Sequence, residues 1–269
     1  MNALLKKIAT GAAMAALALG LVACGGSQAP ATSASTGGAA QATYKIATDT
    51  TFAPFEFAES DGKYVGIDIE LLAAVAEDQG FTYTLEPLGF DAALQSVQAG
   101  QSDGVIAGMS ITEERKGVFD FSDSYYDSTV CCAAKAGGDV KSLDDLKGKN
   151  VAVKNGTMSA DWAASMANQY GFTTTTFDTS DVMYQDVEAG NSAACFEDTP
   201  VMGYAISTGN VKLQIIAEAD STGAFATPYG FAVKKGSNSE LPQKFNDGLK
   251  NVKQSGKYDE IINKYVSRS

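Results

Sequence analysis

The 269-residue chain contains no histidine. That absence removes imidazole bases, Ser-His-Asp and Cys-His nucleophile pairs and histidine-built metal centres. Any chemistry falls to carboxylates, lysine, arginine, tyrosine or cysteine. Arg115 lies three residues after Thr112 in the run Thr112-Glu113-Glu114-Arg115. Thr112 reads as a helix N-cap, which puts the guanidinium in the first helical turn beside free backbone N–H groups. A planar fork of donors there suits a carboxylate ligand, and a surface ion pair with Glu113 or Glu114 would use the same residues. Asp198 follows a buried strand pattern ending at Phe196 and precedes Thr199-Pro200. A carboxylate at the carboxyl end of a parallel strand faces the crevice where α/β sheets bind ligands, and the same spacing suits an N-cap. Cys131, Cys132 and Cys195 show neither CxxC nor metal-type spacing, so no metal site is expected. A bridge from Cys195 to Cys131 or Cys132 and three reduced, buried thiols both fit.

The elements that must position these groups alternate in period from Tyr44 onward. Strand patterns cover 44–48, 63–66, 83–86 and 104–107, with helical spacing over 68–79 and 91–99 stopped by Gly80 and Gly100. The second half repeats the habit. Strands are expected at 151–153, 173–177, 193–196, 213–217 and 230–233, and helices at 158–170, 181–189 and 201–207. Two amphipathic helices, 241–254 and 258–266, close the chain. Strand and helix alternating at this spacing predicts an α/β fold with mainly parallel sheets, enough for two, and a cleft between lobes for a small ligand.

Twenty basic residues face 32 acidic ones, a net charge of −12. Such a surface repels polyanions, and no Lys/Arg cluster with interleaved aromatics offsets it, so nucleic acid is not an expected partner. No GxxxxGK[ST] phosphate loop occurs, so ATP is not bound by this chain.

The amino terminus reads as an address. Lys6 and Lys7 precede an apolar stretch from Ile8 to Val22, short against the ~20 residues of a bilayer crossing. Leu21-Val22-Ala23-Cys24 resembles the bacterial lipobox, which implies a lipoprotein signal peptide over 1–24 with Cys24 lipidated as the new first residue. Residues 25–43 carry no charge and no large apolar side chain. They read as a flexible tether of roughly 24 Å r.m.s. span. The expected location is extracytoplasmic, on the outer face of the cytoplasmic membrane or in the periplasm, with the membrane reached through the lipid.

Four stretches together resemble the polar amino-acid-binding proteins of ABC importers, the family-3 extracellular solute-binding proteins, and most of all the glutamine-binding ones. They are Thr48-Asp49-Thr50-Thr51-Phe52-Ala53-Pro54-Phe55-Glu56-Phe57, then Gly66-Ile67-Asp68-Ile69-Glu70-Leu71. Ala107 to Arg115, running on through Phe119-Asp120-Phe121 to Tyr125-Tyr126, is the third, and Glu197-Asp198-Thr199-Pro200 is the fourth. Their order covers nearly all of 44–266. Gln79 departs from the small or aliphatic residue at the tail of the second.

The resemblance implies a two-lobed periplasmic-binding-protein-like fold of type II, its ligand cleft between lobes joined by two hinge strands. Lobe 1 would comprise 44–127 and 226–269, and lobe 2 would comprise 128–225. It implies that Arg115 and the N–H groups of Thr157 and Met158 hold a ligand carboxylate. Asp198, the Gly108 carbonyl beside Ala107, and the Ser110 hydroxyl would take its ammonium. Phe52 and Phe90 would sandwich the aliphatic stem, with Asp49 and Lys154 reading a side-chain amide. Glu197 stands where the glutamine binders carry histidine; it either pairs with Lys154, readmitting a cationic side chain, or lies outside the pocket. The expected partners are a free L-amino acid, glutamine by preference, and ABC permease subunits, with no cofactor and no catalysis. An arginine or lysine binder is the alternative, and a cyclohexadienyl dehydratase on the same fold, with Glu197 as its acid, is a more distant one.

Overall fold

The computed structural model describes residues 43–266, apart from Ser239. The expected signal peptide, Cys24 and most of the tether lie outside the described residues.

Helix Ile67–Gln79 ends on Gly80 at φ 64° and helix Met158–Tyr170 on Gly171 at φ 70°, the left-handed cap that glycine adopts without a Cβ penalty. Their apolar faces cover two five-stranded sheets. In the first, strands run in the order Thr82–Pro87, Thr43–Thr48, Gly104–Val105, Ala232–Lys234, Phe119–Phe121. The second runs Thr173–Phe177, Asn150–Lys154, Ala194–Asp198, Val130–Lys135, Leu213–Glu218. Each sheet pairs its first three strands in parallel and its last two antiparallel, so both are mixed rather than mainly parallel. The cause is topological. The strand that follows each crossing between the sheets runs opposite to the βα strands of the sheet it joins.

Those crossings form a ribbon of their own. Tyr126–Ser128 leads from the first sheet to the second, Thr227–Tyr229 returns, and the two pair antiparallel with Tyr229 opposite Tyr126. Strand Val130–Lys135 (VCCAAK) has five buried residues in a row and no alternation, so periodicity alone does not separate it from a buried helix. It is absent from the expected elements for that reason.

The three cysteines are free and buried. Cys131 and Cys195 pack on one face of the second sheet with Met183 and Met202, and Cys132 packs on the other with Trp162 and Phe196. Burial pushes all three thiols well above their ordinary range. Helices Glu240–Gln254 and Lys257–Tyr265 pack on Ile67–Gln79; Tyr265 Oη accepts the Gly66 N–H at 3.1 Å, and Gly248 sits against Val75. No helix among the described residues is long and apolar enough to cross a membrane.

Candidate functional site

Ten of the twelve residues expected at a ligand site line one narrow cavity with about 10 Å³ of free space. Phe52, Phe90, Ala107, Gly108, Ser110 and Arg115 come from the half built on the first sheet, and Lys154, Thr157, Met158 and Asp198 from the other.

Arg115 follows from its cap. Thr112 Oγ1 accepts the Arg115 N–H at 3.1 Å, as its spacing predicts, and opens the short helix Glu113–Lys116. The side chain pairs with neither Glu113 nor Glu114. Nη1 donates to the Ser110 carbonyl and Nη2 to the Gly156 carbonyl, both at 2.9 Å, so one guanidinium ties the two halves together. It lies 5.6 Å from the Phe90 ring centroid. Burial pulls its pKa down, and Asp198 and Asp161 oppose that.

Across the cavity the helix Met158–Tyr170 begins at Thr157, whose Oγ1 caps the Ala160 N–H at 3.2 Å and donates to the Lys154 carbonyl at 2.8 Å. Its first-turn N–H groups and the positive end of its dipole suit an anion. Asp198 closes strand Ala194–Asp198 and makes no side-chain cap to the helix Thr199–Ser207 behind it. Its Oδ2 instead accepts from the Tyr229 hydroxyl, on the returning ribbon strand. Burial, then the neighbouring Glu197 charge, push its carboxyl up to about 7, against the Tyr229 bond and Arg115.

Gly108 has φ 52°, and a Cβ there would lie 2.3 Å from Cε1 of Phe52. Only glycine lets the ring lie flat on that turn. Phe52 and Phe90 are 5% and 6% exposed, and the Lys154 ammonium sits 4.9 Å and 5.9 Å from their centroids. The two rings thus flank a cationic end.

Asp49 and Glu197 are behind the wall rather than on it. Asp49 spends Oδ1 on the Thr50 N–H at 2.6 Å and Oδ2 on Lys154. It therefore holds Lys154 instead of facing an amide. Burial pulls the Lys154 ammonium down, but Asp49, then Glu197 and Glu56, more than offset it and hold the pKa above its ordinary value. Glu197 does not pair with Lys154. Its Oε2 accepts from Ser180 Oγ at 2.7 Å and Tyr184 Oη at 2.8 Å, and its Oε1 from the Asp198 N–H at 2.9 Å. All of it is buried, so its charge reaches the cavity but its oxygens do not.

Sequence reasoning missed Tyr229, which orients Asp198, and the carboxyls of Glu56 and Asp68 beneath Gly108. Both acids stand in the second and first matched stretches, so their presence was visible while their depth was not. A larger cavity of about 130 Å³ lies beside Ser180 and Tyr184. Its lining includes Asp181 and Glu188 but no lysine or arginine, so it answers only one end of a zwitterion.

Residues 44–268 match the profile of the bacterial extracellular solute-binding proteins, family 3. The chain belongs to that family. It is 30% identical over 223 residues to the arginine-binding extracellular protein ArtP of Bacillus subtilis, covering 82% of this chain and 85% of that one. Among solved structures it is 44% identical to substrate-binding domain 2 of GlnP from Lactococcus lactis in the open conformation, with a TM-score of 0.59 over 84% of this chain and 96% of the domain. It is also 38% identical to an ancestral arginine-binding protein bound to glutamine, with a TM-score of 0.75 over 84% of this chain and 98% of the other. This family-3 protein is the amino-acid-binding component of an ABC importer, with the type II periplasmic-binding-protein fold. It is a binding protein rather than an enzyme.

Proposed function

We propose that the protein captures L-glutamine outside the cytoplasmic membrane, to which lipid on Cys24 holds it, and presents it to its permease by closing two lobes, 44–127 with 226–269 and 128–225. The observation that carries this is the charge balance of the cavity. Arg115 and the N–H groups of Thr157 and Met158 answer an α-carboxylate, and Asp198 Oδ1, the Gly108 carbonyl and Ser110 Oγ answer an α-ammonium. Beyond the two rings, Lys154 is an ammonium already held by Asp49. It donates to a side-chain carbonyl and repels a cationic side chain.

The Arg115 bond to Gly156 across the cavity supports a closed arrangement. So does the better superposition on the glutamine-bound ancestral protein than on the more identical domain in its open conformation. The hinge is the ribbon of Tyr126–Ser128 and Thr227–Tyr229.

Arginine is the second reading. It is favoured by the buried Glu197 charge behind Lys154 and by relatives described as arginine-binding. A thermal-shift screen of the purified protein against the common L-amino acids separates the two. At ~1,000 Kd a ligand stabilises by about 4.1 kcal/mol, a shift of roughly 8–16 °C at this size. Glutamine alone giving that shift supports the proposal, arginine or lysine giving it replaces glutamine, and no shift with any amino acid sinks both.

A further inference from the structure

Beneath the Gly108 turn lie two carboxyl groups with too few protein donors. Glu56 and Asp68 are both fully buried. The Asp68 N–H donates to the Phe55 carbonyl at 2.9 Å, which docks the start of helix Ile67–Gln79 against the residue before Glu56, and the two side chains meet there. Asp68 Oδ2 accepts the Gly108 N–H at 2.7 Å and the Tyr125 hydroxyl at 2.8 Å. Its Oδ1 and both oxygens of Glu56 have no donor from any other group. Two fully buried ionised carboxylates in contact, with three oxygens that no protein donor reaches, would be strongly unfavourable. One proton between them resolves this, because a carboxylic acid O–H supplies the missing donor.

We propose that Glu56 and Asp68 share a single proton at neutral pH, carried on Glu56 and donated to Asp68 Oδ1, and that this pair is the positioning unit for the Gly108 turn and for Tyr125. The assignment to Glu56 follows from the bonds. Asp68 already receives an N–H and a phenol, both of which favour its charged form, whereas Glu56 receives neither. The surroundings agree. Burial raises Glu56 well above its ordinary 4.5, with Asp68 and then Asp49 adding to the rise and Lys154 opposing it. Burial raises Asp68 only to about 6, restrained by the Gly108 N–H and the Tyr125 hydroxyl. Lys154 is the cation that opposes the rise on Glu56, and it is held by Asp49. Asp68 thereby links the cavity wall at Gly108 to Tyr125, immediately before the ribbon strand Tyr126–Ser128.

The sign of the linkage is definite. Above pH 4.5 the unfolded chain loses the Glu56 proton while the folded protein keeps it, so folding stability falls as pH rises through that window. Glu56→Gln retains an N–H donor for Asp68 and has no proton to lose. Its Tm should match wild type near pH 4 and exceed it by a margin that widens towards pH 8. The protonated-carboxyl band in the infrared spectrum at pH 8, where the Asp198 carboxyl is largely ionised, should disappear in Glu56→Gln. Glu56→Leu, which removes the donor, should weaken amino-acid binding several-fold, and Glu56→Gln should restore it. An unchanged infrared spectrum, or a Tm difference independent of pH, overturns the shared proton. Should Glu56→Gln fail to fold, carboxyl ¹³C NMR of wild type decides, since one glutamate must remain protonated at pH 7 and all ionising would overturn it. The affinity arm rests on the ligand reading above; the infrared, NMR and Tm arms involve no ligand, so the two can fail separately.

Discussion

Lys154→Met is the substitution whose consequences the structure specifies most fully. Lys154 and Asp49 are each 1% exposed and form an ion pair between the two halves of the molecule. Removing one member of such a pair costs about 3–5 kcal/mol, because the other charge stays buried and unpaired. At roughly 2–4 °C per kcal/mol for a body of this size, the unliganded variant should melt roughly 6–20 °C lower. Asp49→Asn should cost less, because the Glu197 charge still bears on the lysine left behind. Lys154→Met has no such relief, leaving Asp49 beside other acids. The double variant should recover part of the loss, since neither buried charge then lacks a partner. Differential scanning calorimetry of the three variants and wild type, without ligand, reads this cycle. A Lys154→Met loss under about 1 kcal/mol, or strict additivity in the double variant, would refute the reasoning. In the same variant glutamine affinity should fall and the ratio of arginine to glutamine affinity should rise.

Arg115→Lys removes the fork that reaches both Ser110 and Gly156 while keeping the charge; at about 1.5–3 kcal/mol per charge-assisted bond, glutamine affinity by titration calorimetry should drop roughly 10- to 100-fold. An unchanged affinity would remove Arg115 from the carboxylate site. Asp198 has its carboxyl raised to about 7, so the folded protein holds a proton that the unfolded chain loses above 3.8. Unliganded stability by urea denaturation should therefore fall as pH climbs through that window, by up to about 1.36 kcal/mol per unit, while glutamine affinity rises towards pH 8 as the carboxylate forms. Asp198→Asn showing the same slopes would contradict this. Gly108→Ala places a Cβ against Phe52 in a left-handed conformation and should cost about 1–2 kcal/mol by the same denaturation assay, with weakened binding; a neutral effect would mean that the turn is free to move.

Local signals in the chain survive into the structure where their physics is local. The Thr112 cap and the glycine stops at Gly80 and Gly100 need only neighbouring residues, and they stand where spacing puts them. Strand Val130–Lys135 does not announce itself, because a fully buried run of small residues has no period to read. Strand direction is similarly invisible; it depends on the path of the crossing ribbon. Ten expected site residues meet in one cavity because they stand on turns, strand ends or first helical turns that face it. Asp49 and Glu197 fall behind the wall because depth is decided by distant partners, Lys154 for one and Ser180 with Tyr184 for the other. Asp198 read equally as a cap or a cleft acid, and what separates the two is Tyr229, 31 residues away.

How an amino acid lies in the cavity is measured most directly by diffraction from crystals grown with L-glutamine. The carboxylate should sit on Arg115 and the N–H groups of Thr157 and Met158, the ammonium on Asp198, and the side-chain carbonyl at Lys154 between Phe52 and Phe90. Glutamine bound in the larger cavity beside Tyr184, or reversed with its ammonium towards Arg115, would contradict this placement.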